Sequence, residues 1–172
     1  LAYLGPPGTH TEQASVNYDV AAVLLPCSTI PLVAAAVDSE EADEGVVPIE
    51  NSVGGSLSVT LDLLIHGSSL FIRQEIILPI KHFLVGRPGT RLEDIDVIYS
   101  HHQALEQCRS YLAEHFDGVR EVLSTSTAAA VEDMLTGDGR AAAIATERAA
   151  KLYDAEVLAS GIADYANNTT RF

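Results

Sequence analysis

One arrangement recurs along the chain and limits what it can fold into: a short β-prone apolar run ends in small hydroxyl or amide residues, and an Ala- or Leu-rich helical stretch follows. Leu1 to Leu4 runs into Gly5, Pro6, Pro7, Gly8, Thr9 and then a polar helical stretch from Glu12 to Tyr18. Ala22 to Pro26 leads through Ser28 and Thr29 to Leu32–Asp38, and Val46 to Ile49 leads through Asn51, Ser52, Val53, Gly54, Gly55 to Val59–Ile65. Further on, Val97–Tyr99, Glu121–Leu123 and Ala141–Ala145 precede helical stretches at Ala104–Phe116, Ala128–Leu135 and Glu147–Tyr153. Strand and helix in alternation predict an α/β fold with a largely parallel sheet.

The stretch Ser69 to Val85 departs from this arrangement. Two apolar strand-like runs, Leu70–Ile72 and Ile76–Leu84, follow one another with no helix between them, as a strand passing from one lobe to a second would. The Gly86, Arg87, Pro88, Gly89 turn then opens new material. With a return near Leu158 to Ala163, the expected lobes are residues 1 to about 76 plus 159–172, and about 80–158.

Length and charge narrow the function. The 172 residues carry a net charge of −14, from 10 basic and 24 acidic side chains, which disfavours nucleic acid and anionic membrane surfaces as partners. At 47% hydrophobic residues the chain can bury a core. Cys27 and Cys108 are far apart and form no CxxC pair, so neither a zinc site nor a disulfide scaffold is signalled, and a reducing cytoplasm is the expected location. No apolar run approaches the roughly 18 residues a membrane span needs. Opening on Leu1 and stopping abruptly at Phe172, the sequence reads as a fragment.

In open α/β sheets ligands sit beyond the carboxyl ends of strands, where helix N-termini offer free N–H groups. Those junctions carry Thr9, Thr11, Ser28, Asn51, Ser52, Ser100, Ser124, Ser126, Thr127 and Thr146, a set that could hold carboxylates without many cations. Each is equally readable as a helix N-cap. The Gly5–Thr9 stretch fits neither the Walker pattern nor GxGxxG, and neither HExxH nor GxSxG occurs. The adjacent His101 and His102 point their rings apart and read as surface or capping histidines. Glu50, at the end of a β-prone run, is a candidate acid if burial raises its pKa; otherwise it is a solvated or capping carboxylate.

Taken together these motifs resemble the catalytic domain of the prephenate dehydratase family. The residues that carry the resemblance are Tyr3–Thr9; Val47–Ser52 with Gly54, Gly55, Thr60, Leu61, Asp62 and Leu64; Leu78, Pro79, Ile80 and His82; Ser100, His101, Gln103, Ala104, Leu105 and Cys108; and Asn168, Thr170, Arg171 and Phe172, with Tyr153, Leu158 and Asp164 upstream. His102 stands where the family has proline, His10 where an aromatic residue is common, and Ala155 where a larger aliphatic residue is expected. The resemblance implies two α/β lobes with a hinge, similar to type 2 periplasmic binding proteins, and an active site in the interlobe cleft. It implies the conversion of prephenate to phenylpyruvate, water and carbon dioxide in phenylalanine biosynthesis, with no cofactor and no metal, by a homo-oligomer. Phenylalanine control would need a C-terminal ACT domain, which lies outside this sequence.

On the same resemblance Thr170 is the essential residue, and a mechanism can be expected around it. Thr170 donates to the leaving oxygen, Glu50 supplies the proton, and Ser100 and Asn51 hold the geometry. Arg171 or a helix N-terminus grips the side-chain carboxylate, Ser126 and Thr127 face the ring carboxylate, and Thr9, Ser52 and Gln103 complete the substrate contacts. The alternatives are an arogenate dehydratase, a non-catalytic two-lobed module binding small anions, and a core inactive without its regulatory half.

Overall fold

In a computed structural model the described residues are 1–137 and 139–172. They form two compact units: Leu1–Ile80 with Asn167–Phe172, and Lys81–Ala166. The first unit begins with β1 (Ala2–Leu4), α1 (His10–Tyr18), β2 (Leu25–Cys27), α2 (Ile30–Asp38) and β3 (Gly45–Val46), its strands parallel in the order β2-β1-β3. Hydroxyl residues end the junctions as expected: the Thr9 side chain accepts from the Glu12 N–H, and that of Thr29 from Leu32, satisfying donors a helix start leaves open. Next come β4 (Glu50–Asn51), β5 (Gly55–Ser56), α3 (Ser58–Asp62) and β6 (Ile77–Pro79). The short β4–β5 connection closes on Gly55 at φ +80°, a backbone region that favours glycine.

The second unit comprises β7 (Phe83–Gly86), β8 (Val97–Ser100), α4 (His102–Gln107), α5 (Arg109–His115), β9 (Arg120–Leu123), α6 (Thr127–Thr136), β10 (Ala141–Ala145), α7 (Glu147–Leu152) and β11 (Glu156–Ser160). Its five-stranded sheet has the order β11-β7-β10-β8-β9. Every residue of β10 is buried, as a central strand covered on both faces requires. Alternation divides the core between those faces: Leu84, Ile98 and Ile144 pack with Leu105 and Leu112, whereas Val85, Val97 and Ala143 pack with Val131 and Met134. The chain then returns to the first unit as β12 (Thr169–Arg171), giving a second sheet there, β5-β4-β12-β6, antiparallel throughout.

Several expectations are corrected. In place of one largely parallel sheet there are three, one parallel (β2-β1-β3), one antiparallel (β5-β4-β12-β6) and one mixed, whose parallel pairing is confined to β10-β8-β9. The run Ile76–Leu84 is two strands with separate partners, β6 against β12 and β7 against β10 and β11, and the units divide between Ile80 and Lys81. The return falls at Asn167, later than residues 158–163, because β11 pairs antiparallel with β7 and so belongs to the second unit. Leu70–Ile72 forms no strand. The helix expected over Val59–Ile65 gives way after Asp62 to a π turn, Leu63–Gly67, and that over Ala104–Phe116 divides at Cys108, whose φ −118° and ψ 15° leave the helical range. Both cysteines are free, and burial, with Asp164 adding to it, pushes the Cys108 thiol up to about 12. Among the described residues no helix is long and apolar enough to cross a membrane.

Candidate active site

The central β4–β12 pairing of the second sheet defines the site. Antiparallel register sets Thr170 opposite Asn51 on one side and Leu78 on the other, so these side chains share a face. Thr170, Asn51 and Asn168 are all buried. The Asn51 amide donates from Nδ2 to Thr170 Oγ1 at 2.9 Å, to Asn168 Oδ1 at 2.7 Å and to the Thr169 carbonyl at 3.1 Å. Its Oδ1 accepts the backbone N–H groups of Val53 at 3.0 Å and Gly54 at 2.7 Å. Two backbone donors at one end of the amide fix which atom is oxygen, and therefore fix the nitrogen on Thr170. Thr170 thus accepts from Asn51 and keeps its own proton, for which no acceptor occurs among the described residues.

Arg171, one residue on, faces the opposite side of the strand. It lies opposite Glu50 in register, its Nε 3.9 Å from the Glu50 carboxylate and 3.3 Å from that of Glu75, with all three side chains about half exposed. Alternation therefore sets Arg171, expected to grip the side-chain carboxylate, on the face away from Thr170. Glu50 shares that face: at 49% exposure beside a guanidinium it matches the solvated carboxylate of the two readings and lacks the burial an acid role calls for. Ser52 joins the strand pairing, accepting the Thr169 N–H at 2.9 Å and donating to the Asn167 carbonyl at 3.3 Å. Thr9 caps α1 while donating to the Pro6 carbonyl at 2.9 Å, its role as a cap in plain view.

The remaining expected residues belong to the second unit. Ser100, fully buried, donates to the Ile144 carbonyl at 2.7 Å. Ser126 is the N-cap of α6, accepting from Ala129 at 2.9 Å, Thr127 is the first residue of that helix, and Gln103 is an exposed residue in the first turn of α4. Ser124 donates to Asp133 at 2.5 Å, and Thr146 caps α7. His82 is buried and lies 2.8 Å from the Gln107 amide oxygen; burial holds its pKa below the ordinary value despite that contact. His101 is lowered too, by burial first and then by His102. No group of three or more His, Cys, Asp or Glu arranged to hold a metal occurs among the described residues.

Two residues outside the expected set belong to these clusters. Asn168 takes a hydrogen bond from Asn51, and its place two residues before Thr170 signals the shared face. Glu75 pairs with Arg171, and only the β6–β12 pairing brings it there.

Comparison with known proteins gives this site its context. The prephenate dehydratase family model matches residues 1–172. A bifunctional chorismate mutase/prephenate dehydratase of Aquifex aeolicus is 41% identical over 173 residues, covering 100% of this chain and 47% of the relative. An arogenate dehydratase/prephenate dehydratase of Arabidopsis thaliana is 38% identical over 100% of this chain and 43% of its own length. Among solved structures, prephenate dehydratase from Arthrobacter aurescens in complex with L-Phe superposes with a TM-score of 0.92 at 38% identity, over 99% of this chain and 58% of that one. A protein described as a novel type of quorum quenching acylase superposes at 0.88 with 32% identity, over 99% of this chain and 61% of that one. The chain therefore spans roughly half the length of such relatives, and the fold alone does not choose the reaction. With its whole length matched, the chain belongs to the prephenate dehydratase family.

Proposed function

We propose that the chain carries the catalytic part of a prephenate dehydratase, converting prephenate to phenylpyruvate, carbon dioxide and water. The observation that carries this reading is the Thr170 hydroxyl, which accepts from Asn51 at 2.9 Å and has its own proton left to give. In the reaction the bond from the ring to its carboxylate breaks, its electron pair aromatises the ring, and the ring hydroxyl departs. Thr170 donates to that departing oxygen as negative charge develops on it, and the Asn51 donor stabilises any charge passing to Oγ1. The proton that completes water is replaced on Thr170 from solvent. Aromatisation supplies the driving force, so positioning and one hydrogen bond at the leaving group suffice.

The ring carboxylate leaves as neutral carbon dioxide. A cation clamped on it would stabilise the ground state more than the transition state, so hydroxyl and amide donors suit it better. Ser126, Thr127, Gln103, Ser52 and Thr9 remain the proposed substrate contacts. Arg171 is assigned instead to holding β12 between Glu50 and Glu75. The Arabidopsis relative's name supports arogenate as a second substrate. Prephenate and arogenate assayed side by side test the reading: phenylpyruvate or phenylalanine formation that disappears in Thr170→Val supports it, and turnover of neither substrate rejects it.

An oligomeric, cytoplasmic protein is part of the same proposal, as is phenylalanine control exerted through an ACT domain outside these residues. Sedimentation of the purified chain tests the first of these.

A further inference from the structure

The first unit contains a cavity of about 640 Å³, within the ~300–1,000 Å³ range of small-molecule sites. One wall is α2, through Val33 and Val37; another is the stretch after β3, through Val47 and Ile49; Leu63 and Leu64 of the π turn form a third. The segment Ser68–Ile76 passes along it and is tied by Arg73 to Glu44, by Glu75 to Arg171 at 3.3 Å, and by the backbone hydrogen bonds that Ile76 exchanges with Phe172. Neither Thr170, Asn51 nor Asn168 lines this space, so it is separate from the hydroxyl and amide cluster of the candidate active site.

The chemistry of the lining selects the ligand. Several of its polar side chains already have partners: Thr60 donates to the Pro48 backbone carbonyl at 2.6 Å, Tyr18 donates to Glu44 at 2.6 Å, and the two arginines are paired. A ligand entering here would therefore meet mainly hydrocarbon, and a buried polar group on it would go unpartnered. Charge adds nothing that would draw an anion: Asp43, Glu44 and Glu75 line the space, and Arg73 and Arg171 are already paired with Glu44 and Glu75. We propose that this cavity is a binding site for an uncharged linear aliphatic chain, its polar head at the Arg73–Glu44 mouth and its methylenes against α2 and the π turn. The assignment rests on the cavity, and the alcohol titrations read it without prephenate; the prephenate arms of the test apply where the dehydratase reading holds.

Calorimetric titration of the purified chain with 1-octanol, 1-decanol and decanoate tests it. Each methylene buried is expected to tighten binding about fourfold, so decanol should bind roughly tenfold or more tighter than octanol. Decanoate should bind about tenfold or more weaker than decanol. Val37→Phe and Val47→Phe fill the cavity from opposite walls; either should abolish decanol binding while prephenate turnover stays at the parent rate, and the second stands in if the first fails to fold. Affinity independent of chain length, undiminished decanol binding in both folded variants, or decanol competing with prephenate would each overturn the assignment.

Discussion

Ser100 at the end of β8 and Thr170 within β12 are both buried hydroxyls on strands, one in each unit, and the sequence offers both as candidates for the same chemistry. Their hydrogen bonds separate them. Ser100 spends its proton on the Ile144 carbonyl at 2.7 Å, tying β8 to β10 within a fully covered sheet. Thr170 receives from Asn51 and spends nothing. A buried hydroxyl whose proton is consumed by the backbone is part of the scaffold; one that only accepts is prepared to donate elsewhere.

The sharpest test of this difference is removal of each hydroxyl. Thr170→Val keeps the shape and removes the donor, and is expected to lower kcat by about a hundredfold or more, with Thr170→Ser recovering part of it. Equal kcat in Thr170→Val and the parent would break the comparison outright. Asn51→Asp is expected to act nearly as strongly by another route. It exchanges a donor for an acceptor, which would take the Thr170 proton for itself and remove the Asn51 donor from the Asn168 oxygen. Loss of kcat at a retained fold, followed by circular dichroism, is the expected result. For Ser100→Ala the loss should appear in stability: the Ile144 carbonyl is left short of a donor, at a cost of about 1–3 kcal/mol, read as a fall in Tm. A kcat defect matching that of Thr170→Val, with Tm unchanged, would place Ser100 in the chemistry instead.

Arg171→Ala ranks below these. The ion pairs to Glu50 and Glu75 are half exposed, so their direct contribution is about 0–1 kcal/mol, and the expected outcome is a kcat reduced a few-fold, shared by Glu75→Gln. A large rise in KM with kcat intact would return Arg171 to the substrate carboxylate.

Much of this was legible in one dimension. The hydroxyl residues at Thr9, Thr29, Ser126 and Thr146 marked helix starts because capping is a local property, decided within three residues. The motif from Asn168 to Phe172 pointed to the candidate site, and period-two alternation alone would have parted Thr170 from Arg171. Pairings across the chain were not legible. That Asn51 meets Thr170, 119 residues away, and that β11 belongs with β7, depends on strand register, which no local spacing encodes. Whether Glu50 is a buried acid or a solvated carboxylate stayed open in the sequence for the same reason: its neighbours in space come from β12 and the approach to β6.

The smallest effect concerns His82, a further polar group that the second unit uses for structure. Its ring lies 2.8 Å from the Gln107 oxygen, and burial lowers its pKa below the ordinary 6.5. The sign follows from proton counting: between the depressed native value and 6.5 the unfolded chain binds more protons at this site, so stability is whole above about pH 6.5 and declines as pH falls through that value. His101, lowered chiefly by burial, acts in the same direction. Chemical denaturation at pH 7.5 and pH 5.5 should therefore show a stability loss that is smaller in His82→Gln, by at most about 1.4 kcal/mol per pH unit. Because that loss belongs to the scaffold, the pH dependence of kcat should be the same in parent and variant; a kcat profile that moves with His82→Gln would give the second unit a titrating group in the reaction and erase the contrast drawn between Ser100 and Thr170.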